Sequence, residues 1–468
     1  MSSNTPAAPA ASTKPAATGS GTPAQGDSNG GFKRTLTMFD LVIYGLISMV
    51  PIAPFSIYAS VFDASGGMPA LTYLIALAAM IFTVFSFGMM IKKFPSSGSI
   101  FTYATHGIGK PVGFIAGWLM LLQYLVNPTL CYIMAALALN QYVPQIPVWG
   151  WCLMFLAFVT IVALRGMKTT MVVNRIALVG ELIVLALFLG FGIAFIFAHP
   201  ETSGFTATAF INPEKFNMGD MMSAVSLAAF SYVGFGCIAM LTQESKDGAK
   251  GPSRAMIIMI LLLGGLFVAT CYVATCIDPT GQIFAHNENN GFYLVAQHVA
   301  GPWLGIVCAV AVALAQGLFT GLVNEVSVAR LLYIMGKKGS MPKRLGQMNQ
   351  KSGVPVVATV FVSAVSLVLL PILLFLGMDE VAKVSNFGAL STYFILNITV
   401  ISYYWIKVKD HSQVWRALIC PIIGALVVGA ILCSLGWIAQ LVGVIWIVLG
   451  IIYYLVSTRV LHHDMSMG

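Results

Sequence analysis

Charge is what this sequence most conspicuously lacks. Only 9% of its 468 residues are Asp, Glu, Lys or Arg, against about 25% in a soluble domain. With 58% hydrophobic residues and a mean hydropathy of +0.88, the chain does not read as a series of water-soluble domains. Paired cysteine motifs are absent too. The eight cysteines (Cys131, Cys152, Cys237, Cys271, Cys276, Cys308, Cys420 and Cys433) form no Cys-x-x-Cys pair and fall mostly in apolar runs. They read as small buried side chains, not as disulfides or metal ligands. No HExxH, no Walker motif, no metal cluster and no suitably placed GxSxG is present, which argues against an enzyme and against a resident cofactor. Neither charged rings nor a filter repeat supports a channel. The histidines (His106, His199, His286, His298, His411, His462, His463) lie in loops, helix ends or tail, which disfavours a histidine proton relay.

What is present instead is a recurring apolar run of about 20 residues, the length an α-helix needs to cross about 30 Å of hydrocarbon. The alternating pattern of a transmembrane β-barrel is missing. Residues 1–32, rich in Ala, Pro, Ser, Thr and Gly, predict a disordered tail. The first apolar run follows Lys33 and Arg34 with no signal peptide before it, so it is expected to stay as a membrane anchor. Twelve spans are predicted, near 37–61, 71–91, 112–138, 148–164, 173–198, 219–241, 255–277, 301–334, 355–376, 383–406, 417–436 and 438–459. The third and eighth are long enough to tilt or protrude.

The net charge of +8 is a topology signal and not a nucleic-acid footprint, because the basic residues sit between spans. With the amino terminus in the cytoplasm only Lys215 and Lys383 face out, and the other 22 of the 24 Lys and Arg lie inside or at inner helix ends. Both termini are therefore expected to be cytoplasmic.

Two spans carry helix breakers. The first reads Gly45-Leu46-Ile47-Ser48-Met49-Val50-Pro51-Ile52-Ala53-Pro54-Phe55, and the sixth Phe230-Ser231-Tyr232-Val233-Gly234-Phe235-Gly236. Proline withholds a backbone donor and glycine permits unwinding. Each break falls in the first span of a group of five, the pattern of an inverted repeat. Ordinary kinks are the alternative, since Gly and Pro are frequent in membrane helices. As a site, N–H groups around Ser48, Met49 and Val50 would hold a carboxylate, carbonyls near Ser231–Gly234 an ammonium, and Phe230 would act as a lid.

These segments, together with FPSSGSIFTYA (94–104), GWLMLLQYLVNP (117–128), FSYVGFGCIAMLTQES (230–245), ARLLYIMGKKGSMPKRL (329–345), SGVP (352–355) and NFGALSTYFILN (386–397), resemble the amino acid–polyamine–organocation superfamily and, within it, bacterial putrescine-importer-like permeases. The resemblance covers roughly residues 33–460. It implies an all-α, leucine-transporter-type fold: repeats at 33–198 and 219–406, an outer connection at 199–218, accessory helices at 407–460 and a short cytoplasmic tail at 461–468. It also implies secondary transport of amino acids or polyamines by alternating access, often coupled to protons. Two positions depart from putrescine importers, which carry acids where this chain has Gln123 and Gly236. A dication without carboxylates is poorly compensated, so an amino acid or a solute with one amine is favoured. A polyamine importer is the alternative and a transporter-derived nutrient sensor a distant one.

Few acids lie within spans. Glu181 sits in the fifth, where a charge costs at least about 2.5–3.5 kcal/mol. It either binds the coupling proton (a sodium ion is the lesser option) or bridges helices as a neutral or paired acid. In some proton-coupled relatives a lysine stands at what looks like this position, after the same Val173-Asn174 stretch. Glu325, with Arg330 and Arg175 as candidate partners, reads as an ion pair or inner gate ahead of a substrate ligand. Asp40 either serves that gate or caps its helix. Gln123 with Asn127, and Gln316 with Thr320, are spaced to share a helix face; they line the cavity or bond between helices. Tyr124, Tyr132 and Tyr232 are second-tier candidates for the wall, and Met49 alone among the methionines lies at a break. Oligomeric state is not legible, and a homo-oligomer stays open.

Overall fold

Helices supply all regular structure among the described residues of the computed structural model, which are 34–96, 98–165, 167–201, 203–285, 290–337, 339–349 and 352–459, the side chains of 167–174 and 459 excepted. The expected tails at 1–32 and 461–468, His286, and the side chains of Val173 and Asn174 lie outside them. The first half runs α1 (Met38–Met49), α2 (Pro54–Ala64), α3 (Pro69–Lys93), α4 (Ser99–Gly107), α5 (Lys110–Asn140), α6 (Val148–Leu164) and α7 (Met167–Ala198). The second runs α8 (Met218–Tyr232), α9 (Gly236–Met240), α10 (Lys250–Ile277), α11 (Gly291–Ala300), α12 (Pro302–Leu314), α13 (Gly321–Lys337), α14 (Val356–Leu376) and α15 (Met378–Ile401). Last come α16 (Cys420–Cys433) and α17 (Trp437–Arg459).

Among the described residues ten helical spans are long and apolar enough to cross a membrane, and α1 with α2, bent by 51°, makes an eleventh when counted as one. The 17-residue α6 is apolar but shorter. Local chemistry sets several ends. A capping box starts α1, with Thr37 Oγ1 accepting from Asp40 N and the Asp40 carboxylate accepting from Thr37 N at 3.0 Å. Pro54, Pro69 and Pro302 open α2, α3 and α12, where the missing N–H costs nothing.

Burial ranks the spans. Of the apolar stretch of α5, 94% is covered by protein, against 28% for α14 and 17% for α17. The third span is therefore the central post, and the last helix faces lipid. On α5 pack α15, α4, α6 and α13, while α10 packs along α3 and α1. Gly388 of α15 lets that helix pack closely on α5: a Cβ there would lie 2.8 Å from Gln123 N and 2.9 Å from Leu119 O. Short α11 does not cross; it packs against α2, where a Cβ on Gly291 would meet Ala59 Cβ at 2.5 Å. Neither α4 nor α11 is anticipated by span length, and nor are the π-helical turns at Ala315–Thr320, Ser402–Lys407 and Trp415–Ile419.

Candidate functional site at the two helix breaks

Both interrupted helices break where their sequences carry Pro or Gly. Between α1 and α2 the chain turns through Val50–Ala53, with Val50 at φ +56°. A β-branched residue in the left-handed region is an outlier, held there by its surroundings. Between α8 and α9 the turn is Val233–Phe235.

The two breaks touch. Ser48 Oγ donates to Gly234 O at 3.1 Å. A Cβ on Gly234 would lie 2.7 Å from Ser48 O and 3.0 Å from Met49 Cγ, so only glycine lets these backbones approach so closely. The third member is the eighth span, whose π-helical turn brings Thr320 Oγ1 to Ile47 O at 2.9 Å. Such turns frequently mark functional sites.

Backbone polarity at the first break differs from expectation. Ser48 and Met49 form the last turn of α1, and Val50 N donates to Leu46 O at 2.8 Å. The positive helix end that could face a carboxylate therefore belongs to α2 and starts at Pro54, not at Ser48–Val50. At the second break Gly234 O is the accepting carbonyl, occupied by Ser48 Oγ and by Cys237 N at 3.0 Å.

Gly236 opens a different environment. A methyl group there would meet Phe87 Cζ and the Tyr124 hydroxyl at 3.6 Å and the Tyr393 hydroxyl at 3.8 Å, all ordinary contacts. Phe235 stacks on Tyr393 (ring centroids 4.9 Å apart), and Phe87 meets both edge-on at 5.6 and 6.0 Å. Tyr124 also shares a 3.6 Å contact with Cys237 Sγ. The result is an aromatic cage around a glycine. Tyr393, Phe87 and their neighbour Tyr103 (6.4 Å from Phe87) were not singled out from sequence.

Other expected residues lie elsewhere. Ser231 shares a 3.0 Å hydrogen bond with the Tyr73 hydroxyl, and Tyr232 donates to Tyr73 O at 2.9 Å; both face α3 and not the first break. Phe230, half-buried, lies in the last turn of the same helix. Gln123 sits at the α5–α15 crossing, and Asn127, one turn on, holds a buried Oδ1 with no hydrogen-bond partner. Gln316 is buried in the π-helical turn.

The acids separate into three settings. Glu181 is 3% exposed on α7, and neither carboxyl oxygen has a hydrogen-bond partner among the described residues; α7 packs against α1 and the π-helical turn. Glu325 accepts from Ser363 Oγ at 2.7 Å and from the Tyr132 hydroxyl at 3.4 Å. The expected partners of Glu325 are engaged elsewhere: Arg330 pairs with Glu244 and Arg175 with Asp40. Asp40 thus both caps α1 and forms an ion pair. Glu244 went unnoticed in the sequence because its partner is 86 residues away. Its carbonyl also accepts from Thr35 N and Leu36 N at 3.0 and 2.9 Å, and Lys246 N donates to Leu36 O at 2.8 Å. The segment before α1 is thereby stitched to the segment after α9, and Glu244 ties both to α13. Among the described residues no group of three or more His, Cys, Asp or Glu is placed to hold a metal.

Broken helices meeting inside a bundle of membrane-crossing helices define a membrane transport protein. The amino acid permease family model matches residues 35–467, and the chain belongs to that family, within the amino acid–polyamine–organocation superfamily. It is 31% identical to the low-affinity putrescine importer PlaP of Escherichia coli (strain K12) over 441 residues, 91% of this chain and 94% of that one. It is 25% identical to the branched-chain amino acid permease BcaP of Bacillus subtilis (strain 168) over 453 residues, 91% and 93% of the two chains. With the methylthioribose transporter of the same organism it shares 22% over 462 residues, 91% and 94%. The family is one of permeases and not of enzymes.

Proposed function

We propose that this permease carries an amino acid, or a related solute with one amine, across the bacterial cytoplasmic membrane by alternating access. The observation that carries the reading is the meeting of the two breaks, Ser48 Oγ on Gly234 O. Hydrogen-bonding groups freed by a broken helix are tolerated in lipid only where they face protein or a cavity. Here side-chain hydroxyls cap two such carbonyls, Ser48 Oγ on Gly234 O and Thr320 Oγ1 on Ile47 O, and an ammonium competes with the Ser48 hydroxyl for the Gly234 carbonyl. The solute's carboxylate faces the α2 end of the first break, and its side chain enters the cage around Gly236. On this reading the bent α1–α2 pair, α6 and the ten longer spans make twelve. Residues 33–198 and 219–406 are the inverted repeats and 407–460 the accessory pair. Both termini are cytoplasmic, because Lys92, Lys110, Lys250, Lys337 and Lys407 all stand at one end of their helices.

Glu181 is the coupling group in this scheme. A carboxyl within a span and with no hydrogen-bond partner among the described residues is best accommodated with a proton bound. Each charge carried inward gains about 2.3 kcal/mol per 100 mV, roughly fiftyfold accumulation. In proteoliposomes, Glu181→Gln should abolish uptake driven by a pH gradient while sparing solute exchange. Unchanged gradient-driven uptake would remove Glu181 from the coupling.

A polyamine is the second reading, favoured by the aromatic cage (a cation–π surface) and by the similarity to a putrescine importer. Thermal shifts of the purified protein across amino acids, diamines and small amines separate the two. Saturation at 100-fold over Kd stabilises by about 2.7 kcal/mol. A shift with amino acids and none with putrescine supports the first reading, and the reverse overturns it.

A further inference from the structure

Away from the helix breaks, Lys92 at the end of α3 meets Asp247, Ala249, Lys250 and Arg254 at the start of α10 around a concavity of about 680 Å³. All four charged side chains are exposed, and none is in an ion pair among the described residues. Lys92 follows the common rule, a cation in a helix's last turn. Lys250 and Arg254 break it: they sit in or beside the first turn of a 28-residue helix, where the backbone is already positive. Three cations and a helix amino terminus add their fields over one hollow, against the single carboxylate of Asp247.

The surface next to the hollow is apolar and faces outward. On α10, Arg254 is followed at helical spacing by Ile258, Leu261 and Leu262, exposed by 44, 52 and 44%. On α3, Phe85 lies two turns inward of Lys92 on the same face and is 42% exposed. Both faces run into the hollow, since Lys92 and Arg254 line it. With 28 residues α10 rises about 42 Å, more than the hydrocarbon thickness, so its first turns reach the headgroup layer.

We infer that the hollow binds the headgroup of an anionic phospholipid, whose acyl chains lie along Phe85 and the Ile258–Leu262 face. Its phosphate is held by Lys92, Lys250 and Arg254. Asp247 opposes it and limits the affinity.

The test is native mass spectrometry of the purified full chain titrated with phosphatidylglycerol, with phosphatidylcholine, and with phosphatidylglycerol plus millimolar inorganic phosphate. Phosphatidylglycerol should be retained at least about tenfold better than phosphatidylcholine. Lys92→Gln, Lys250→Gln and Arg254→Gln should each weaken retention about fivefold, and Asp247→Asn should strengthen it by a similar factor. The four side chains are exposed, so these variants keep the fold, and matching melting curves in detergent verify that. Undiminished retention by the triple Gln variant would overturn the inference. So would full displacement by inorganic phosphate, which would make the hollow a site for a soluble anion. Lipid retention is read without transport, so this result and that of the substrate screen are independent.

Discussion

Gly234 and Gly236 are two residues apart and meet different surroundings. A methyl group at 234 would drive into the backbone oxygen of Ser48, which cannot turn away as a side chain could. Gly234→Ala is therefore expected to cost about 1–3 kcal/mol of stability, the usual penalty for overpacking, and to force the breaks apart. Gly236→Ala should shift stability by less than about 1 kcal/mol, because its new contacts are ordinary ones. Melting curves of the two purified variants check the contrast, and equal losses would contradict it. Gly236→Asp places a carboxyl between the Tyr124 and Tyr393 hydroxyls; if the one-amine reading holds, it should raise affinity for putrescine relative to amino acids in the same thermal-shift assay. The breaks themselves were legible, since Pro51, Pro54, Gly234 and Gly236 are conformational statements in their own right. The distinct roles of the two glycines were not, because what surrounds a missing side chain is supplied by Ser48, Phe87 and Tyr393 from distant helices.

Among elements, the hydrophobic runs located the ten longer spans to within about five residues, because each needs about 20 apolar residues to cross. The π-helical turn at Ala315–Thr320 was not legible: Gln316 and Thr320 marked a polar face, but one extra residue per turn alters no pattern in so short a stretch. Pairing of charges was equally hidden. Helix depth alone offers Glu325 as a partner for Arg330, but packing puts Glu244 there, with side chains 6% and 5% exposed. Breaking a buried pair strands the remaining charge. Glu244→Ala should thus destabilise by about 3–5 kcal/mol, and Glu244→Ala with Arg330→Met by much less. A double-mutant cycle on purified protein measures this; additive losses would mean that the two side chains do not depend on each other. Glu325, held by Ser363 and Tyr132, is independent of that pair, so Ser363→Ala should cost about 1–3 kcal/mol and leave the cycle's coupling energy unchanged.

For the molecule as a whole, the proposed alternating access requires that one end open while the other stays shut, and the stitch between Leu36 and Ser245 ties the two broken helices together at the end where Arg34, Lys246 and Lys250 lie. The stitch joins the approaches to both broken helices, so it cannot survive a motion that separates α1 from α9 at that end. Strands paired by such a parallel bridge lie about 4.8 Å apart, within disulfide range. Leu36→Cys with Ser245→Cys, in a Cys433→Ser background because Cys433 is the exposed native thiol among the described residues, should crosslink on mild oxidation. Crosslinked protein in proteoliposomes is expected to lose at least about nine-tenths of its uptake, with recovery on reduction, while solute protection against melting persists if the other end still admits solute. Persistent uptake by fully crosslinked protein would mean that this end does not open between α1 and α9, and the transport path would have to leave by another seam of the bundle.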